Sequence, residues 1–222
     1  MSRIVRNQKN IQKSQIEIKK TSSYGEGDLA YYCNGALPNN YIYKGSAQNF
    51  PFRNIEFYNN SCFYFTDSMV AYTLSSSGSD GLSNGVSLII DKDTQMQNGA
   101  VQNLRNGPLN LIIKGDVDFG TSNIAAKAIR FGGIASKVYG TLVFYSYKGG
   151  NIMSSIPSTK IGTTSPKSGS TLTLKYSKAF EEKVKAYGAS LSQNLTITYS
   201  ELTAEEEAKL EKQVDACLAL PD

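Results

Sequence analysis

The sequence predicts a mainly β fold, an antiparallel β-sandwich or barrel with two or three peripheral helices including a C-terminal helix, and three observations carry that prediction. The run from Lys137 to Lys148 is rich in β-branched and aromatic residues and lies between Gly132-Gly133 and Gly149-Gly150, the pattern of a long strand fenced by turns. Between Tyr24 and Tyr72 the chain carries thirteen Phe or Tyr residues in forty-nine positions, broken by turn chemistry at Pro38-Asn39-Asn40, Gln48-Asn49-Phe50-Pro51 and Asn59-Asn60-Ser61. Short, closely spaced strands of this kind favour meanders that close into a sandwich or barrel. The third observation is a capped amphipathic segment at the C-terminus.

The elements follow in chain order. Residues 1–20 form a basic N-terminal arm, in which Arg3, Arg6, Lys9, Lys13, Lys19 and Lys20 outweigh Glu17 to give +5. Only Gln15 to Lys19 has a strand pattern there. Strands are predicted near residues 40–44, 54–58, 62–66 and 68–74. Ser75 to Gly85 reads as a flexible loop, and Gly85 to Asp91 returns to strand through Val86, Leu88, Ile89 and Ile90. Residues 91–106 show little periodicity, and Leu109 to Lys114 is a strong apolar strand. A short helix is expected from Ser122 or Asn123 to Phe131.

In the 137–148 strand, alternation places Val138, Gly140, Leu142, Phe144 and Ser146 on one face and Tyr139, Thr141, Val143, Tyr145 and Tyr147 on the other. The first face has core chemistry. The second offers phenols with apolar bodies and polar tips, suited to lie under a loop, a helix or another subunit. Residues 151–170 are expected to be a Ser/Thr/Pro loop. A strand is predicted over Thr171–Tyr176, a helix over Ser177–Tyr187 with Gly188 just past its end, and a last strand over Asn194–Tyr199. Thr203 with Glu206 three residues on is a capping box, and Leu210, Val214, Cys217 and Leu218 form the apolar stripe of the helix that follows. The organisation expected is thus the arm at 1–20, a β-rich body at 21–200 and an acidic C-terminal helix at 201–222, whose net charge is −5.

Val86-Ser87-Leu88-Ile89-Ile90 and Leu109-Asn110-Leu111-Ile112-Ile113 lie about one solenoid coil apart, which makes a parallel β-helix the alternative architecture.

Composition excludes several kinds of chemistry. The chain has no histidine, so neither a Ser-His-Asp or Cys-His mechanism nor a His-ligated metal can be assembled from it. Its three cysteines, Cys33, Cys62 and Cys217, are odd in number and far apart, the pattern of free thiols in a reducing compartment. Tryptophan is absent, leaving the fourteen tyrosines as the flat surfaces for sugar stacking. Gly25-Glu26-Gly27 opens like a dinucleotide fingerprint but lacks its last glycine and its strand-turn-helix context. Asp116 and Asp118 share a side if extended, a pair more often solvated than metal-bound. Ser158-Thr159-Lys160 and Ser136-Lys137 are chance neighbours in a serine-rich chain. No spacing singles out a pair of catalytic carboxylates, and the sequence predicts no catalytic residue, no cofactor and no metal.

These readings predict a non-enzymatic structural subunit of a virion-like particle, in texture like a phage capsid, decoration or tail protein. The expected partners are further copies of the chain or other subunits of the particle. Subunit contacts are expected from Arg3, Arg6, Lys9 and Lys13 in the arm and from Glu205, Glu206, Glu207, Leu210 and Val214 in the helix, paired head to tail. Nucleic acid is a weaker partner for the arm, which lacks interleaved aromatics. No apolar run approaches a membrane span and no signal peptide is evident, so synthesis in the cytoplasm is expected, with the virion as a destination. The alternative function is a carbohydrate-binding β module using tyrosine and Asn/Asp side chains, with Tyr139, Tyr145 and Tyr147 as the ligand-facing aromatics; burial of those rings counts against it.

Overall fold

The computed structural model describes residues 18–20, 31–33, 42–45, 54–56, 61–66, 73–77, 85–91, 101–105, 108–119, 129–130, 139–156, 161–162, 168–191 and 194–221. In chain order the strands are β1 (Ile18–Lys20), β2 (Tyr31–Cys33), β3 (Ile42–Gly45), β4 (Asn54–Glu56), β5 (Ser61–Phe65), β6 (Thr73–Ser77), β7 (Val86–Ile90) and β8 (Val101–Arg105). They continue as β9 (Pro108–Val117), β10 (Ile129–Arg130), β11 (Tyr139–Ile152), β12 (Ile161–Gly162) and β13 (Ser170–Tyr176). Helix α1 (Glu181–Ala189), strand β14 (Leu195–Glu201) and helix α2 (Ala204–Leu218) complete the chain.

The main sheet has seven strands in the order β14-β13-β11-β9-β7-β5-β3, and every pairing in it is parallel. The antiparallel sandwich or barrel expected from the sequence is therefore wrong. The reason lies in the turns. Asn59-Asn60-Ser61, read as a hairpin turn, stands between β4 and β5, which belong to different sheets and do not pair. The strands that β4 and β5 do pair with run parallel to them and lie a long connection away. β4, β6, β8, β10 and β12 form a second, five-stranded parallel sheet, and β1 with β2 an antiparallel pair. The parallel β-helix alternative is not supported either: the described core is a seven-stranded parallel sheet with a helix packed on each face, an α/β-type layering.

Burial on both faces gives these strands their composition, since parallel sheets need apolar residues at consecutive positions. All of Val86–Ile90 is buried, as is Leu109–Ile113. One face gathers Phe63, Leu88, Leu111, Leu142, Phe144, Leu172 and Leu174 beneath Phe180, Val184 and Tyr187 of the α1 segment. Phe144 and Tyr187 meet edge-on with ring centroids 5.7 Å apart. The other face presents Cys62, Ile89, Ile112, Val143, Tyr145 and Tyr147 to Leu210, Val214 and Cys217 of α2. The alternation predicted for the long strand thus holds from Leu142 to Tyr147, and both of its faces are core.

Several expected boundaries move. The long strand runs on through Gly149-Gly150 to Ile152 and occupies the start of the expected 151–170 loop, which also contains β12. Gly188 lies inside α1, where a Cβ would stand 2.3 Å from the Tyr199 hydroxyl. The 91–106 segment holds β8, and the expected 75–85 loop begins inside β6. Of the short helix expected before Phe131, Ile129–Arg130 is strand β10 and the rest lies outside the described residues.

Candidate assembly surfaces

Helix α2 begins as the sequence requires: the Thr203 side chain accepts from the Glu206 N–H at 3.2 Å, and the Thr203 N–H donates to the Glu206 carboxylate at 3.0 Å. Its apolar stripe is taken up by the chain's own sheet, with Val214 and Cys217 fully buried. Polar contacts fix the register of that docking. Gln213 accepts from Ser87 Oγ at 2.7 Å, and Ser87 in turn accepts from Asn110 Nδ2 at 3.1 Å. Lys44 Nζ donates to the carbonyls of Leu220 at 2.9 Å and Leu218 at 3.4 Å, which closes the negative end of the helix.

The acidic outer residues are largely engaged within the chain. Glu206 pairs with Lys175, and Glu207 Oε1 accepts from Ser177 Oγ at 2.6 Å. Burial works against the Glu206 charge, but Lys175 and the Thr203 backbone hold its carboxyl below the ordinary value. Glu205 is exposed. Asp215 Oδ1 accepts from Tyr147 Oη at 2.6 Å and from Lys148 Nζ at 2.7 Å, and these two donors, Lys148 foremost, hold it below the usual carboxylate range. Burial, together with Glu211, Glu207, Tyr147 and Asp215, pushes the Tyr145 phenol up to about 12.

Lys148 sits at a bulge. Between the Tyr147–Lys114 and Asn151–Asp116 pairs, Lys148, Gly149 and Gly150 stand opposite Gly115 alone. Lys148 and Gly149 take left-handed φ values of 48° and 84°, and a Cβ on Gly150 would lie 1.9 Å from the Ile113 carbonyl oxygen.

The helical cover thins toward the end of the main sheet. In β13 Leu172, Leu174 and Tyr176 are buried while Thr171 is exposed, and in β14 Thr196, Thr198, Tyr199, Ser200 and Glu201 are all exposed. β14 pairs with β13 over all seven residues without a register shift, and no described strand pairs with its other side. It carries no lysine, no proline and no bulge, the devices that ordinarily guard an open edge. Thr198 and Thr173 are joined through their hydroxyls at 3.0 Å, and Glu201 pairs with Lys178 at 3.3 Å.

The residues singled out by sequence fall as follows. Arg3, Arg6, Lys9 and Lys13 lie outside the described residues, as does the Tyr139 side chain. Leu210 and Val214 are buried within the chain, and Tyr145 and Tyr147 are 4% and 8% exposed beneath α2. The edge of β14 was not singled out; Leu-Thr-Ile-Thr-Tyr-Ser predicts a strand, but its place at the end of the sheet follows from the parallel strand order, which local sequence patterns do not reveal. The described residues contain no group of three or more His, Cys, Asp or Glu that could hold a metal ion, and no helix long and apolar enough to cross a membrane. No family model, curated protein or solved structure matches this chain.

Proposed function

We propose that this chain is a non-enzymatic structural subunit of a repeating assembly, of the kind that builds virion-like particles such as phage capsids, decorations or tails. The observation that carries the subunit role is β14, a seven-residue strand at the end of the main sheet that no other described strand pairs on its outer side and whose one charged side chain, Glu201, stands at its last position. The type of particle rests on the sequence alone: a chain rich in Asn, Ser, Gly and Tyr, with a basic arm, an acidic C-terminal segment and no histidine. Burial of Tyr145 and Tyr147 weighs against the sugar-binding alternative.

The test is the mass of the purified chain by light scattering behind a sizing column over a range of concentration and salt. Defined oligomers that grow with concentration are expected. A strict monomer at every concentration would refute the subunit reading.

A further inference from the structure

Resting on the subunit reading, we infer that the partner at β14 is a second copy of this chain, added antiparallel about a two-fold axis through Thr198 so that the main sheet runs on through both copies. Three observations select this occupant. The first is the length of the edges. β14 offers seven residues, whereas among the described residues the opposite edge of the sheet, β3, offers the four from Ile42 to Gly45, and a head-to-tail join through those would leave three of the seven in β14 unpaired. A copy of β14 matches it over its full length.

The second is self-complementarity. In the register centred on Thr198, Ile197 faces the partner subunit's Tyr199, Thr196 faces the partner's Ser200, and Thr198 faces the partner's Thr198. Aliphatic-aromatic and hydroxyl pairs of this kind stabilise antiparallel ladders. The Thr173–Thr198 hydroxyl contact would continue across the axis as a row of threonines on one face of the joined sheet. Tyr199, 39% exposed and with Met153 one of two large hydrophobic side chains left open among the described residues, gains a neighbour on the other face.

The third is charge. Glu201 is the only charged residue of β14. The proposed register sets the two copies of it at opposite ends of the ladder, about 20 Å apart at ~3.3 Å per residue. That is more than twice the roughly 8 Å screening length at physiological salt. Each Glu201 is also held by its own Lys178. A parallel pairing of two β14 strands would instead bring these carboxylates side by side.

The test uses the full chain with Thr198→Cys, oxidised mildly by a small-molecule disulfide, with the unaltered chain treated alongside to show any linking through its native cysteines. Position 198 meets itself on the axis, so a covalent dimer is expected from that variant alone. Thr196→Cys should link only when mixed with Ser200→Cys. Thr198→Lys supplies a lysine guard and should halve the mass of the smallest oligomer while the far-UV circular dichroism of the chain stays that of the unaltered protein. If the unaltered chain assembles but Thr198→Cys gives no more dimer than the control and Thr198→Lys changes nothing, the β14 inference is overturned and the subunit reading stands. If the unaltered chain never assembles, both fall.

Discussion

The bulge in β11 contains two adjacent glycines that serve different physical needs, and substituting each by alanine separates them. At Gly149 the requirement is conformational: φ is 84°, and a Cβ added there would meet nothing within 4 Å. An alanine there meets a left-handed penalty of ~1–2 kcal/mol, partly offset by ~0.4–1 kcal/mol from stiffening the unfolded chain, leaving a net loss of about 1 kcal/mol. At Gly150 the requirement is space. A Cβ would stand 1.9 Å from the Ile113 carbonyl oxygen and 2.7 Å from its carbon, both backbone atoms of a central strand. The contact opens only if β9 and β11 move apart in the middle of the sheet. Overpacking costs ~1–3 kcal/mol and each weakened ladder hydrogen bond about 1 kcal/mol more, so Gly150→Ala should lose about 3–5 kcal/mol. Urea unfolding with a shared slope reads both values as shifts in midpoint. In a chain of this size Gly149→Ala should lower the melting temperature by ~2–4 °C and Gly150→Ala by several times that. Equal losses at the two positions, or a larger loss at Gly149, would refute the account of the bulge.

Three further outcomes follow from the docking of α2. Val214→Ala removes two fully buried carbons at ~0.8 kcal/mol each and leaves a cavity, for a total loss of about 2–3 kcal/mol by urea midpoint; a loss below ~0.5 kcal/mol would mean the helix is not seated as described. Asp215 and Glu206 have folded pKa values below their ordinary ones, so the stability they contribute is full above about pH 5 and drains as pH falls through the depressed values. The urea midpoint should therefore fall between about pH 5 and pH 2, less steeply in Asp215→Asn, and a flat profile in the unaltered chain would contradict the pairing. Burial, with the neighbouring Cys217 thiol, pushes the Cys62 thiol well up. Peptide mapping after brief alkylation should find Cys62 labelled only in denaturant, and labelling in the native chain would show that α2 opens readily.

The local structure was legible because local chemistry determined it. The Thr203–Glu206 box sets the start of α2, and the alternation of the 137–148 strand assigns Leu142 to Tyr147 to their observed faces. Topology was not legible by the same means. Asn59-Asn60-Ser61 has the composition of a hairpin turn, yet a turn residue fixes only how the chain bends, and which strand pairs with which depends on the far end of the connection. The stronger signal was the run of consecutive apolar residues in Val86–Ile90 and Leu109–Ile113. Those two segments pair directly, Val86 against Leu109 through Ile90 against Ile113, and a half-exposed antiparallel strand has no use for apolar residues at successive positions. Gly149-Gly150 misled for a related reason. Paired glycines mark a departure from regular backbone, and a bulge demands that as much as a turn does.

The candidate contacts shifted for a reason that also bears on how assembly would respond to salt. The sequence suggested a basic arm meeting an acidic helix, an association that salt weakens. In the fold, Glu206, Glu207 and Asp215 already have partners on β11 and β13 or in the turn after β13, so recruiting them for a neighbour would first break bonds that seat α2. The β14 edge is under no such constraint. Its pairing groups are neutral backbone amides and hydroxyls, and its one carboxylate stands at the end of the ladder. Joining two copies there should depend on concentration and hardly on ionic strength, whereas contacts through the arm should dissociate as salt rises. The salt series in the light-scattering experiment therefore ranks the two surfaces without any substitution: oligomers that survive high salt implicate the edge, and oligomers that dissolve implicate the charged ends.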